Sequence, residues 1–213
     1  MKKYLTEFIG TFMLIFCSTG VGVVDQETHG IIGHVGISMT CGLAVMTLIY
    51  AFGVISGAHF NPAVSLAFIF AGKFPAREFP PYLASQVMGA FCASLVLRYM
   101  FPDNTLLGTT IPMGPESRSF LLEIIMTFFL MLVVLNVAHG SKEQGLFAGL
   151  AIGSTILLEC MFGGPISGAS LNPARSLAPA VVSGHLEHLW IYLTAPFIGT
   201  SLAIPVWRVI KTH

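Results

Sequence analysis

Long stretches of this chain contain no Asp, Glu, Lys, Arg or His, among them 8–24, 35–58, 79–97, 124–138, 144–158 and 189–207. A hydrocarbon core of about 30 Å is crossed by about 20 helical residues. Each run therefore predicts a membrane-spanning helix, the shorter ones completed by flanking residues. Only 9% of the 213 residues are charged and 54% are hydrophobic, against about 25% charged in a soluble domain. The chain is read as an integral membrane protein in one transmembrane domain, 1–213. Glu123 and Glu159 then fall within or near membrane depth. The first run reads as a retained span and not a cleaved signal, because Glu7 interrupts the basic start and no small-residue site opens onto a soluble domain.

Ten Lys and Arg balance ten Asp and Glu, so no basic surplus exists to hold nucleic acid. The four cysteines, Cys17, Cys41, Cys92 and Cys160, lie in apolar stretches without metal-ligand spacing, and no metal or other cofactor is expected. No catalytic motif is present either: there is no His-Glu-x-x-His, no Gly-x-Ser-x-Gly and no Walker loop. If both termini share one side, that side collects Lys2, Lys3, Lys73, Arg77, Lys142, Arg208 and Lys211, leaving Arg98, Arg118 and Arg175. The excess of positive charge on cytoplasmic loops then places both termini in the cytoplasm, in a plasma (inner) membrane.

The chain also repeats itself. Ile55-Ser-Gly-Ala-His-Phe-Asn-Pro-Ala-Val-Ser-Leu-Ala67 and Ile166-Ser-Gly-Ala-Ser-Leu-Asn-Pro-Ala-Arg-Ser-Leu-Ala178 agree at ten of thirteen positions, 111 residues apart. A weaker echo pairs Glu7-Phe-Ile-Gly-Thr11-Phe12 with Glu123-Ile-Ile-Met-Thr127-Phe128. Three spans per half is an odd number, so the halves, at about 1–104 and 116–213, enter from opposite sides as inverted repeats. After each motif, Asn61 or Asn172 suits an N-cap and Pro62 or Pro173 the first helical position. Apolar runs then end near Gly72 and Gly184, which predicts re-entrant half-helices of twelve or thirteen residues, roughly 18 to 20 Å long. The Gly- and Ser-rich segments before them are tolerated at membrane depth only against protein or a water-filled cavity.

Two half-helix N-termini meeting near the midplane each present roughly half a positive elementary charge, which repels cations and hydronium. With its side-chain oxygen used in capping, each Asn keeps its NH₂ to donate into the lumen and turn the oxygen of a passing molecule. Backbone carbonyls of the extended segments supply acceptors along the wall.

The paired Asn61-Pro62-Ala63 and Asn172-Pro173-Ala174 boxes, Arg175 after the second, a Glu opening each half and the six spans resemble the aquaporin or major intrinsic protein family over essentially the whole chain. The block 164–178 is most similar to the nodulin-26-like branch. The resemblance implies an all-α hourglass of six transmembrane helices and two re-entrant half-helices, a homotetramer with a pore in each protomer, and passive flux of water and small uncharged solutes. It implies acceptor carbonyls at Gly57, Ala58, His59, Gly168, Ala169 and Ser170, and a structural role for Glu7 and Glu123 as acceptors of the re-entrant backbone.

The family's narrowest ring is set by spacing from the boxes, which here gives Cys41, Cys160, Ala169 and Arg175. Water-selective members are similar but carry a large aromatic and a His at the first two positions, and glycerol channels carry two aromatics. This chain has neither set, so the ring is expected to be wide enough for glycerol, urea and boric, silicic or arsenous acid. Ser176 and Ala180 match the water-channel pattern instead, and a water-selective pore is the alternative reading. An inverted-repeat secondary transporter is the rival of another class, opposed by the absence of a carboxylate beside either motif. Cys41 and Cys160 read equally as small buried hydrophobes. Glu159 stands either at the extracellular mouth or against another protomer. His34 reads as a packing or interfacial residue, and His139, His185 and His188 as loop residues. Gly149 and Gly153, with Gly89 and Ala93, mark close helix contacts within or between protomers.

Overall fold

The computed structural model describes residues 1–138 and 145–211. His139, Lys142 and the start of the fifth uncharged run at Gln144 lie outside them. Six long helices are described: α1 Lys2–Glu27, α2 Gly33–Ser56, α4 Phe79–Met100, α5 Glu116–Ala138, α6 Ala148–Ser167 and α8 Leu189–Ile210. All six are long and apolar enough to cross a membrane. Between them lie two short helices, α3 Pro62–Phe70 and α7 Pro173–Ser183, and a single 3₁₀ turn, Ala76–Glu78, leads into α4.

The half-helices are shorter than the sequence predicts, nine and eleven residues against twelve or thirteen. The chain leaves α3 two residues before Gly72, which turns at φ 72° while Lys73 N–H donates back to Phe68 O at 2.8 Å. At about 1.5 Å per residue, neither element crosses a bilayer. The fifth span differs in the other direction. Glu159 interrupts the uncharged run, yet α6 continues through it to Ser167, because its carboxylate is taken into the protein and does not end the helix.

Within the protomer α1 packs on α4, α5 on α8 and α2 on α6. Glycines set these distances. A Cβ on Gly89 would lie 2.4 Å from Phe8 O in α1, and one on Gly199 would lie 2.4 Å from Ile124 O in α5. The two contacts are counterparts in the two halves. Gly42 and Gly153 do the same for α2 and α6, where a Cβ on either would come within 2.7 Å of the other's carbonyl oxygen. Gly149 meets the Tyr50 ring, so Gly89, Gly149 and Gly153 all make contacts inside the protomer. The outer faces keep large apolar residues exposed, such as Leu43, Leu95, Leu121 and Phe162, as lipid contact requires.

Gly89→Ala and Gly199→Ala are each expected to destabilise by about 1–3 kcal/mol through overpacking, read as a lower unfolding temperature in detergent. Gly22→Ala, inside α1 with nothing within 4 Å of its added Cβ, is expected to unfold no lower than the unmodified chain, since Ala in a helix interior is favoured over Gly by about 0.5–1 kcal/mol.

Candidate functional site

The two short helices meet at their N-termini. Asn61 is extended (φ −152°) and its Oδ1 accepts from Ala63 N at 2.9 Å and Val64 N at 3.4 Å. Asn172 repeats this at φ −150°, accepting from Ala174 N at 3.0 Å and Arg175 N at 3.4 Å. Pro62 and Pro173 occupy the first helical position, where no N–H is missed. The side-chain amides then reach across: Asn61 Nδ2 donates to Leu171 O and Asn172 Nδ2 to Phe60 O, both at 2.8 Å. Each capping residue is thus bonded to the loop of the opposite half. This corrects the expectation that the whole NH₂ faces the lumen, since each amide gives one of its two N–H groups to a carbonyl.

The loops before the caps are contorted. Gly57, Ala58 and Phe60 have φ of 86°, 51° and 48°, and Gly168, Ala169 and Leu171 have 83°, 42° and 55°. Left-handed backbone at a non-glycine costs about 1–3 kcal/mol and persists only where the surroundings over-determine it. Here a buried carboxylate does so in each half. Glu7 accepts from Ser56 Oγ at 2.7 Å, His59 N at 3.0 Å, Phe60 N at 2.8 Å and Gln86 Nε2 at 2.8 Å. Glu123 accepts from Ser167 Oγ at 2.7 Å, Ser170 N at 2.9 Å and Leu171 N at 2.9 Å. Tyr82 and Tyr192 close the same places by donating to Ser56 O at 2.7 Å and Ser167 O at 2.6 Å.

A cavity of about 600 Å³ runs past both loops, lined by Gly57, Ala58, His59, Asn61, Ala169, Ser170 and Asn172 among others. It extends to Lys73, Phe74 and Leu146 on the side of the termini. A second cavity of about 160 Å³, lined by Gly168, His34 and Ser38 among others, adjoins it. Cys41, Cys160, Ala169 and Arg175 line both, together with Ser18. The four residues named from spacing are therefore brought together where the two spaces meet.

Arg175 is held from a loop that sequence patterns leave unmarked. Its Nη1 donates to Gly108 O at 2.8 Å, and Gly108 (φ 71°) packs so closely that a Cβ would lie 2.7 Å from Thr19 Cβ. Arg98 fastens the same loop by donating to Asn104 O at 2.9 Å. Ser18 and Gly108 carry no sequence signal. Tyr82 and Tyr192 do, standing 26 and 25 residues after the repeated serines. His34 pairs through Nε2 with Met161 O at 2.7 Å while lining the smaller cavity. His59 lies among Phe68, Phe74 and Tyr82, with Nδ1 3.0 Å from Ser65 Oγ. His188 pairs with Glu116 at 2.6 Å. Both carboxylate oxygens of Glu159 are enclosed within the protomer without a hydrogen-bond partner among the described residues. No cluster of three or more metal-ligating side chains occurs among the described residues.

The family model described as Major intrinsic protein matches residues 1–207. The chain belongs to this family. It is 43% identical to Nodulin-26 of Glycine max, over 99% of this chain and 78% of that one, and 43% identical to Aquaporin NIP1-1 of Zea mays, over 99% and 75%. Among solved structures it resembles the aquaglyceroporin from Plasmodium falciparum with a TM-score of 0.85 and 26% identity, covering 98% of this chain and 96% of that one. As a major intrinsic protein it is an integral membrane channel and not an enzyme, with the six spans and two re-entrant half-helices of that fold.

Glu123→Ala is expected to leave the Ser170 and Leu171 amides and the Ser167 hydroxyl without their acceptor, at about 1–3 kcal/mol for each buried donor. Glu123→Gln, which keeps one carbonyl oxygen, is expected to recover part of that loss in thermal unfolding. An alanine variant as stable as the unmodified chain would contradict the clamp.

Proposed function

We propose that this major intrinsic protein conducts water together with small uncharged solutes, among them glycerol, urea and boric, silicic or arsenous acid, while excluding ions and protons. The observation that carries the proposal is the make-up of the wall common to the two cavities, in which Cys41, Cys160 and Ala169 are small and Arg175 is the one long side chain among the four. None of those four positions carries an aromatic ring or an imidazole, and the His34 imidazole that lines the smaller cavity with them is tied to Met161 O. Arg175 supplies donors to a hydroxyl or carbonyl oxygen, and the backbone carbonyls of Gly57, Ala58, His59, Gly168, Ala169 and Ser170 supply acceptors on either side of the Asn caps. A solute with several hydroxyl groups can exchange water for these partners as it moves.

Exclusion of charge follows from the cap geometry. Two half-helix ends carry roughly half a positive elementary charge each, and Arg175 adds a full one. The remaining N–H of Asn61 and Asn172 orients the oxygen of any water at the midplane, interrupting a proton wire. On this reading the protein works as a homotetramer in a plasma (inner) membrane with both termini cytoplasmic, and its repeats span about 1–104 and 116–213. The likeness to Nodulin-26 and to an aquaglyceroporin supports it.

A water-selective pore is the second reading, favoured by Ser176 and Ala180. Both are buried, however, and the Ser176 hydroxyl pairs with Ser170 Oγ at 2.6 Å and Thr110 Oγ1 at 2.7 Å, a tie within the protein that leaves the lumen wall to other residues.

Proteoliposomes placed in hyperosmotic glycerol or boric acid are expected to shrink and then reswell, as followed by stopped-flow light scattering, and Ala169→Trp is expected to abolish the reswelling. Fast shrinking in sucrose with no reswelling in either solute would establish the water-selective reading instead.

A further inference from the structure

Two of the four free cysteines, Cys41 on α2 and Cys160 on α6, are both buried and both line the two cavities at their common wall. Both line the smaller cavity of about 160 Å³, and Arg175 lines it with them. The pairing is set by backbone, not by flexible side chains. Gly42, the residue after Cys41, lies so close to α6 that a Cβ would stand 2.6 Å from both Gly153 O and Leu157 Cβ. Cys92 is exposed on α4, and Cys17, partly buried on α1, lines neither cavity. The lumen therefore presents one preformed pair of thiols, held by two helices in backbone contact.

The chemistry of such a pair is selective. Zinc takes four ligands in a structural site, and no cluster of three or more ligating side chains exists among the described residues. A free divalent cation would also have to approach Arg175 and the positive half-helix ends. An uncharged trivalent hydroxide meets neither obstacle. Thiolates are soft ligands that prefer soft centres, and a three-coordinate centre that keeps one hydroxyl needs two of them. We propose that Cys41 and Cys160 form a dithiol site in the pore wall that captures arsenous acid and, by bridging α2 to α6, obstructs the channel. Two As–O bonds break and two As–S bonds form. Each thiol proton leaves with a hydroxide as water, so As(OH)₃ and two thiols give a dithiolato-arsenic hydroxide and two waters with no change of oxidation state. The third hydroxyl stays on arsenic beside Arg175.

The inference rests on the proposed pore in that arsenous acid must enter it, and it narrows that reading for this one solute: arsenous acid passes only while the dithiol is unoccupied and stops the flow once bound. The test uses the full chain in proteoliposomes treated with sodium arsenite, reading osmotic water flux by stopped flow and bound arsenic by native mass spectrometry. The expected result is one arsenic per chain and loss of most of the protein's water flux, restored by 2,3-dimercaptopropanol. Cys41→Ser and Cys160→Ser, each compared with the same untreated variant, are expected to lose both effects, while Cys17→Ser and Cys92→Ser respond as the unmodified chain does. Unchanged flux and no adduct in the unmodified protein would overturn the site, as would an adduct that persists in both Cys41→Ser and Cys160→Ser. The arsenic count decides where a variant conducts poorly. Boric acid reswelling measured on the same vesicles keeps the two proposals separate: its failure alone sinks the solute reading, and arsenite insensitivity alone sinks the dithiol.

Discussion

Two buried carboxylates hold non-helical backbone at membrane depth, and the rest of the channel depends on them. A peptide N–H in hydrocarbon has no water to turn to, and the loops before α3 and α7 cannot use helical partners. Glu7 and Glu123 take their place, each accepting two consecutive loop amides and a serine hydroxyl. With the N–H groups drawn toward the carboxylate on one side, the loop can turn its other side to the cavity. The reciprocal bonds from Asn61 to Leu171 O and from Asn172 to Phe60 O then lock the two loops to one another. Neither half completes its own loop.

The departures from symmetry are where the two halves take different tasks. Gln86 adds a fourth donor to Glu7 and also donates to Ser65 Oγ at 3.0 Å, whereas Glu123 has three among the described residues. Val64 directly follows the first box and Arg175 the second. That difference puts a guanidinium directly after the second cap and none after the first, and the 101–115 loop holds it through the Gly108 carbonyl. An Arg so placed is stable because it faces a water-accessible cavity and a carbonyl, the condition under which an ionised group is found at membrane depth.

Much of this is legible in the sequence because it rests on side-chain identity and strict spacing. The repeat, the caps and the proline positions are read directly, since Asn and Pro act locally through their own backbone. Counting from the boxes also leads to Cys41, Cys160, Ala169 and Arg175, which line the junction of the two cavities. What escapes depends on backbone atoms or on tertiary enclosure. Gly108 acts through its carbonyl, which no side-chain pattern reveals. A charge count ends the fifth uncharged run at Leu158 and leaves open how Glu159, at membrane depth, is accommodated, while in the folded chain its carboxylate is enclosed. An apolar run makes the half-helices too long because it continues past the point where the Lys73 amide turns back to Phe68 O.

If the two carboxylates act as described, loop amides at the centre of the protein are held as firmly as those of a helix although they lie beside a water-accessible cavity. Hydrogen–deuterium exchange of the protein in lipid nanodiscs measures this at the amides of His59, Phe60, Ser170 and Leu171. Protection comparable to the interior of α1 and far above that of the 101–115 loop is expected, because each of these four amides donates to Glu7 or Glu123 and opening requires loss of the clamp. Exchange at these four positions as fast as in the 101–115 loop would contradict it.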